Sequence, residues 1–314
     1  MNLKKDPCYN VTLFRTFLYH DISVLYMGKK SGGYDISRGS YNPDLMPQGF
    51  EKELERLRLQ ATYFWSKERK KLEYFGLKDG MRVLEIGMGP GYVTEQLLKD
   101  YPNLEIVGID INSRFVDLAK KRFKHDPRVT FVEGSVYSMP FEKEEFDFVY
   151  VRLVFQHLKE PLDALNEIYR VLRKKGKLVV LDIDEELLGI IDPDYMNWRK
   201  YNNQVSKTQS KRGGDRRVGR KLIALFKEAG FRNVELEAIL AHSDELGIEN
   251  FLAQAWNEED IDWAIKNSVI SKEEGEKQKA LYRLFLATPH KIIITLVFVC
   301  GGEKPLYHNP LINK

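Results

Sequence analysis

From position 82 onward the chain alternates short apolar runs with amphipathic stretches, a pattern that few folds accept. Residues 82–86, 104–109, 129–132, 146–151 and 178–181 read as buried strands, and 93–98, 115–123 and 161–172 carry helical periodicity between them. Strands joined through helices need right-handed crossovers, which give a parallel sheet covered on both faces. Such a sheet binds its ligand at the carboxyl ends of its strands.

The flanking segments elaborate this core. Residues 1–49 form an arm rich in aromatic residues, among them Tyr9, Phe14, Tyr26 and Tyr41. Leu54, Leu57, Ala61, Phe64, Leu72 and Phe75 then recur at helical spacing until Gly76, which predicts a long amphipathic helix, kinked or straight. Beyond Asp184 the periodicity weakens until a helix at 222–229, a strand at 234–239, a helical stretch over 241–290 and a last strand at 292–300. The expected division is an arm over 1–49, a core over 50–240 and 291–303, and a helical insertion over 241–290.

Composition narrows the class. With 43% hydrophobic residues, 22 Gly and 12 Pro among 314 residues, a disordered or collagen-like chain is excluded. Cys8 and Cys300 lie near opposite ends without metal-ligand spacing, which fits a reducing compartment. The longest apolar run, 292–300, has strand length and falls short of the ~20 residues of a spanning helix, so a soluble cytoplasmic protein without a membrane partner is expected. A net charge of 49 − 46 = +3 lacks the asymmetry of a dedicated nucleic-acid binder.

The chemistry concentrates where the first strand meets the first helix, in Val83-Leu84-Glu85-Ile86-Gly87-Met88-Gly89-Pro90-Gly91. Gly87, Gly89 and Gly91 permit a tight turn and close approach of backbone to a ligand. The dinucleotide spacing G-x-G-x-x-G would require Gly at 92, where Tyr92 stands. The pattern is E-x-G-x-G-x-G instead, with Glu85 placed to accept from the turn or from a ligand amine.

This motif, with three others in order, resembles the class I S-adenosylmethionine-dependent methyltransferases over residues 50–240. The others are Val107-Gly108-Ile109-Asp110-Ile111-Asn112, Phe131-Val132-Glu133-Gly134-Ser135-Val136 with Met139-Pro140-Phe141, and 146–158 with 170–176. The resemblance implies a Rossmann-like, seven-stranded, mostly parallel α/β sheet sandwiched by helices, with the last strand antiparallel, and S-adenosyl-L-methionine as cofactor. It further implies that Asp110, with Ile111 beside it, accepts both ribose hydroxyls, and that Ser135 and Val136 meet the adenine. The family commonly has Asp where Ser135 stands.

Residues 55–61 together with Gly213, Gly214, Gly219 and Leu222 look like the small-molecule branch, in which the leading helix lies over the cofactor. There Gln60 is a candidate for the methionine end, against a solvent-facing helix residue. Arg152 either forks onto the cofactor carboxylate or forms a surface salt bridge. His157, just beyond the fourth strand, is a candidate general base, against a helix-capping or packing role, and His20 is a weaker one. Asp182, Asp184, Glu185 and Glu186 either hold a cationic amine or form a solvated loop. Residues 207–221 carry seven basic side chains without interleaved aromatics, which disfavours a nucleic-acid partner. Tyr195, Trp198 and Tyr201 are candidates for an apolar pocket wall.

The expected function is methyl transfer by in-line displacement to an O or N atom of a small organic acceptor. An RNA methyltransferase and a non-catalytic cofactor-binding protein are the alternatives. The chain in excess of the core builds the acceptor pocket or a homo-oligomer contact.

Overall fold

A computed structural model describes residues 40–41, 43, 49–187, 189–195, 206–207, 209–248, 258–266 and 270–307. His20, Trp198 and Tyr201 lie outside the described residues. Two helices lead, α1 (Phe50–Tyr63) and α2 (Trp65–Tyr74), and the predicted long helix breaks at Phe64. The core then runs β1 (Arg82–Ile86), α3 (Tyr92–Asp100), β2 (Glu105–Asp110), α4 (Ser113–Arg122), β3 (Val129–Glu133) and β4 (Phe146–Arg152). A 3-10 turn (Phe155–His157), α5 (Pro161–Val171) and β5 (Leu172–Ile183) complete the parallel part. A short β6 (Ile190–Asp192), α6 (Leu222–Glu228), β7 (Arg232–His242), the helices α7 (Ser243–Leu246), α8 (Glu258–Lys266) and α9 (Lys272–Ala287), and β8 (Ile292–Glu303) follow.

The sheet order is β3-β2-β1-β4-β5-β8-β6, with β7 paired to β8. The strands β1 to β5 pair in parallel, and β8 is antiparallel to β5, β6 and β7. The expected mostly parallel sheet with an antiparallel last strand is present, with eight strands among the described residues instead of seven. The extra one is β6, whose three residues continue the line of β5 along β8. Three residues are too few to carry an alternating pattern.

Successive strand residues face opposite layers. Leu84, Val149, Val151, Leu178 and Val180 point to a core closed by Ala164, Leu165, Ile168 and Phe226 of α5 and α6. Val83, Phe148, Tyr150, Val179 and Val299 face the other way, onto Trp65, Leu72 and Leu97 of α2 and α3. The apolar spacing 164, 165, 168, 171 makes α5 a one-sided helix, and Pro161 opens it where a missing N–H costs nothing. Among the described residues no helix is long and apolar enough to cross a membrane.

The leading helices are fitted closely to the sheet at Gly301 of β8, where a Cβ would lie 2.1 Å from Cδ1 of Phe75, just after α2. The Gly301→Ala variant should therefore lose about 1–3 kcal/mol of stability through forced displacement of the Phe75 ring. A urea titration checks this, and an unchanged midpoint would contradict the packing described.

Candidate active site

The glycine turn and the end of β2 meet through one carboxylate. Gly87 N–H and Met88 N–H donate to Ile109 O at 2.8 and 3.3 Å, which seats the turn against β2. Gly89 N–H donates to Asp110 Oδ2 at 2.9 Å, and Asn112 N–H donates to Oδ1 at 2.8 Å. Burial pushes the Asp110 carboxyl up to about 6, opposed by the N–H groups of Asn112, Gly89 and Ile111. Ile111 therefore serves the site through its backbone.

The turn also has the shape a ligand needs. Gly87 adopts φ 67° with Val154 Cγ2 only 2.3 Å from where a Cβ would sit, so no other residue fits there. Gly89, at φ 55°, has nothing within 4 Å of its would-be Cβ. Open space over Gly89 lies beside a carboxylate whose two oxygens offer about four lone-pair sites, more than the three backbone N–H groups use. This arrangement fits a ribose diol on Asp110 with the rest of a nucleoside over the turn. Gly91, at φ 80°, packs against Phe123 and Ala119.

Other candidates stand differently from the sequence expectation. Glu85 is only 3% exposed, and its Oε2 accepts from Thr94 Oγ1 of α3 at 2.6 Å. Burial, with Glu68 nearby, drives its carboxyl up to about 8, so at neutral pH it is mostly protonated. Ser135 Oγ accepts from Tyr137 N–H at 3.3 Å, which ties its own turn, and the Val136 side chain belongs to the core beneath.

Arg152 departs from both of its readings. Its Nε forks onto Glu68 Oε1 and Oε2 at 3.1 and 3.0 Å, and Nη2 donates to Gln60 O at 2.9 Å. The pair is buried, so it is not a surface bridge, and Nε and Nη2 are turned to Glu68 and α1. Gln60 is half-buried, and it meets Arg152 through its backbone carbonyl.

His157 ends the 3-10 turn after β4. Its Nδ1 lies 2.9 Å from Ser40 Oγ and 3.3 Å from Gln209 Nε2. The Gln209 amide is oriented by Gln156 O, which accepts from Nε2, and by Arg216, which donates to Oε1. Nδ1 is thus an acceptor, which assigns the proton of the neutral ring to Nε2. Burial, then Arg216 and Arg56, lower its pKa to about 3, far from that of a base working near pH 7. The Tyr41 ring lies 5.3 Å from the imidazole, and its hydroxyl donates to Glu53, which also holds Arg56.

The acidic run after β5 is not a solvated loop. Asp184 is fully buried and pairs with Arg220, Glu185 pairs with Arg216, and Glu186 holds Arg217 at 3.0 Å. Lys221 closes on Asp215 at 2.6 Å. Three arginines of the basic stretch, Arg216, Arg217 and Arg220, thus pair with the three carboxylates Asp184, Glu185 and Glu186. Asp182 accepts from Gln156 N–H and Ile183 N–H, and burial pushes it up to about 7. Tyr195 is exposed, with its hydroxyl 3.4 Å from Thr288 Oγ1.

Glu68, Gln209 and Arg216 were not singled out individually from the sequence, and Tyr41 was named only among the aromatic residues of the arm. One of them left a signal: Ala61, Trp65, Glu68 and Leu72 share the buried stripe of the leading helices, so an acid stands at an apolar position.

Residues 84–180 match the family model of the methyltransferase domain, and over this segment the chain is similar to the class I S-adenosylmethionine-dependent methyltransferases. An uncharacterised 37.1 kDa protein of a Streptomyces fradiae transposon is 32% identical over 161 residues, 51% of this chain and 46% of that protein. The demethylmenaquinone methyltransferase of Thermotoga maritima is 34% identical over 102 residues, 32% of this chain and 43% of that enzyme. The matches therefore span less than half the length of these two relatives. Phosphoethanolamine N-methyltransferase 2 of Haemonchus contortus, solved with S-adenosyl-L-methionine, shares the fold with a TM-score of 0.54 at 20% identity, over 87% of this chain and 61% of that one.

The buried acids give the ligand-free protein a pH signature. Glu85, near 8 in the fold against 4.5 when exposed, favours folding at low pH and loses that contribution as pH rises toward 8. Asp182 acts in the same direction up to about 7, whereas His157, kept neutral in the fold, opposes them only below 6.5. Stability should therefore fall between pH 6.5 and 8, and less steeply in Glu85→Gln. Thermal melts across that range check it, and parallel slopes for the two proteins would contradict the assignment.

Proposed function

We propose that the chain transfers the methyl group of S-adenosylmethionine to an O or N atom of a small organic acceptor. The observation that carries this reading is the open turn at Gly89 beside the Asp110 carboxylate, at the carboxyl ends of β1 and β2. When bound there, the cofactor supplies a methyl group on a sulfonium, a good leaving group for displacement. Asp110 would hold the ribose, Gly87 and Gly89 would let the backbone approach, and Ser135 and Val136 border the adenine side.

In this reading His157 helps orient the acceptor by fixing the 3-10 turn through its Nδ1 contacts with Ser40 and Gln209, rather than acting as its base. A base of such low pKa would contribute little, whereas orientation supports displacement directly. The relative that methylates demethylmenaquinone, by its name, supports a small-molecule acceptor. An RNA acceptor reached through 207–221 is the weaker reading, because four of the seven basic side chains there, Arg216, Arg217, Arg220 and Lys221, are paired with carboxylates.

The test is incubation with methyl-labelled S-adenosylmethionine and separate pools of phenols and quinols, amines, carboxylic acids and bulk tRNA. Label should enter a small-molecule pool, and kcat/KM should show no ionisation of His157 between pH 5 and 8. Label entering only tRNA, or none in any pool, would contradict the proposal.

A further inference from the structure

The break between α1 and α2 is held by a single buried cation. An interrupted helix leaves its last carbonyls without intrahelical donors, and Gln60 belongs to the final turn of α1. Arg152, at the end of β4, donates from Nη2 to that carbonyl at 2.9 Å. The same guanidinium grips both oxygens of Glu68, which stands in the first turn of α2. A cation at one helix C-terminus and a carboxylate at the next N-terminus each suit the local dipole. Tyr150 of β4 adds a hydroxyl to Glu68 Oε1 at 2.5 Å. Glu68 is 1% exposed and Arg152 10%, so the pair is shielded from screening by solvent.

The consequence lies at the far end of α1. Phe50 stacks on Phe115 of α4 with ring centroids 5.7 Å apart, and the Arg114 guanidinium lies over the same Phe50 ring, 3.6 Å from its centroid. The helix is thereby moored at one end beside the strand that carries Asp110 and at the other beside the end of β4. Between these moorings run the carboxyl ends of β2, β1 and β4, in that order, with the glycine turn among them. Glu53 and Arg56 of α1 also fix Tyr41 against His157.

We infer that Arg152 is a positioning residue: through Glu68 and the Gln60 carbonyl it sets where α1 crosses the glycine turn, and so shapes the cofactor site without touching the cofactor. This inference rests on the methyltransferase reading only for its functional consequence. An Arg→Lys change cannot keep both contacts, since an ammonium lacks the planar fork.

The test uses Arg152→Lys, Glu68→Gln and the double variant Glu68→Gln/Arg152→Met, which removes the buried charges together and guards against misfolding of a half-broken pair. In ligand-free protein, hydrogen exchange over residues 53–63 should rise in both single variants while residues 82–110 stay protected. Affinity for S-adenosylhomocysteine, measured by calorimetry, should fall about tenfold in each single variant, and the double variant should be no weaker than the worse single, as expected of groups that act as one unit. Unchanged exchange in α1 would overturn the inference whether or not the ligand binds. So would loss of affinity in Arg152→Lys with full affinity in Glu68→Gln, the mark of direct contact with the ligand. Wild-type protein that fails to bind S-adenosylhomocysteine would overturn the proposed function instead, and exchange would still decide on the clamp.

Discussion

The hydrogen bond from Gly89 N–H to the Asp110 carboxylate joins the two strand ends on which the site depends. A carboxylate bound by backbone N–H groups is held more firmly than one bound by flexible side chains, because the donors are fixed by the strands themselves. Burial pushes the Asp110 carboxyl up to about 6, and the backbone N–H groups of Asn112, Gly89 and Ile111 oppose that shift.

Around this junction the chain keeps its charges paired. Arg152 with Glu68, Arg216 with Glu185 and Arg220 with Asp184 each place a guanidinium against a carboxylate that is buried. These pairs hold the segments that surround the site: the leading helices, the 3-10 turn with His157, and the stretch after β5. Removing the arginine from any of these pairs would leave a buried carboxylate uncompensated, which is far more disruptive than the pair is stabilising. The site is thus walled by polar networks whose value is geometric.

What the sequence made legible follows from the range of the forces involved. The central strands β1 and β4 announce themselves because they are short, mostly apolar and buried on both faces, and the glycine spacing states the turn directly. Gly89 and Asp110 were named separately, and the fold brings them within one hydrogen bond. By contrast, the partners of Asp184, Glu185 and Glu186 lie some thirty residues further on, with no local pattern to join them. The same distance hides the role of Arg152, which looked like a ligand contact because its partner Glu68 precedes it by 84 residues. His157 was found by position, but its low basicity comes from burial first, then from Arg216 and Arg56, all of which arise only in the fold.

The central claim is that the Gly89 turn and Asp110 together form a nucleoside site. Calorimetric titration of the purified chain with S-adenosylhomocysteine, for wild type and for Asp110→Ala, tests it most directly. The account expects one ligand bound per wild-type chain and no detectable binding in the variant, with both proteins folded. Equal binding by the two proteins, or none by wild type at millimolar ligand, would contradict it.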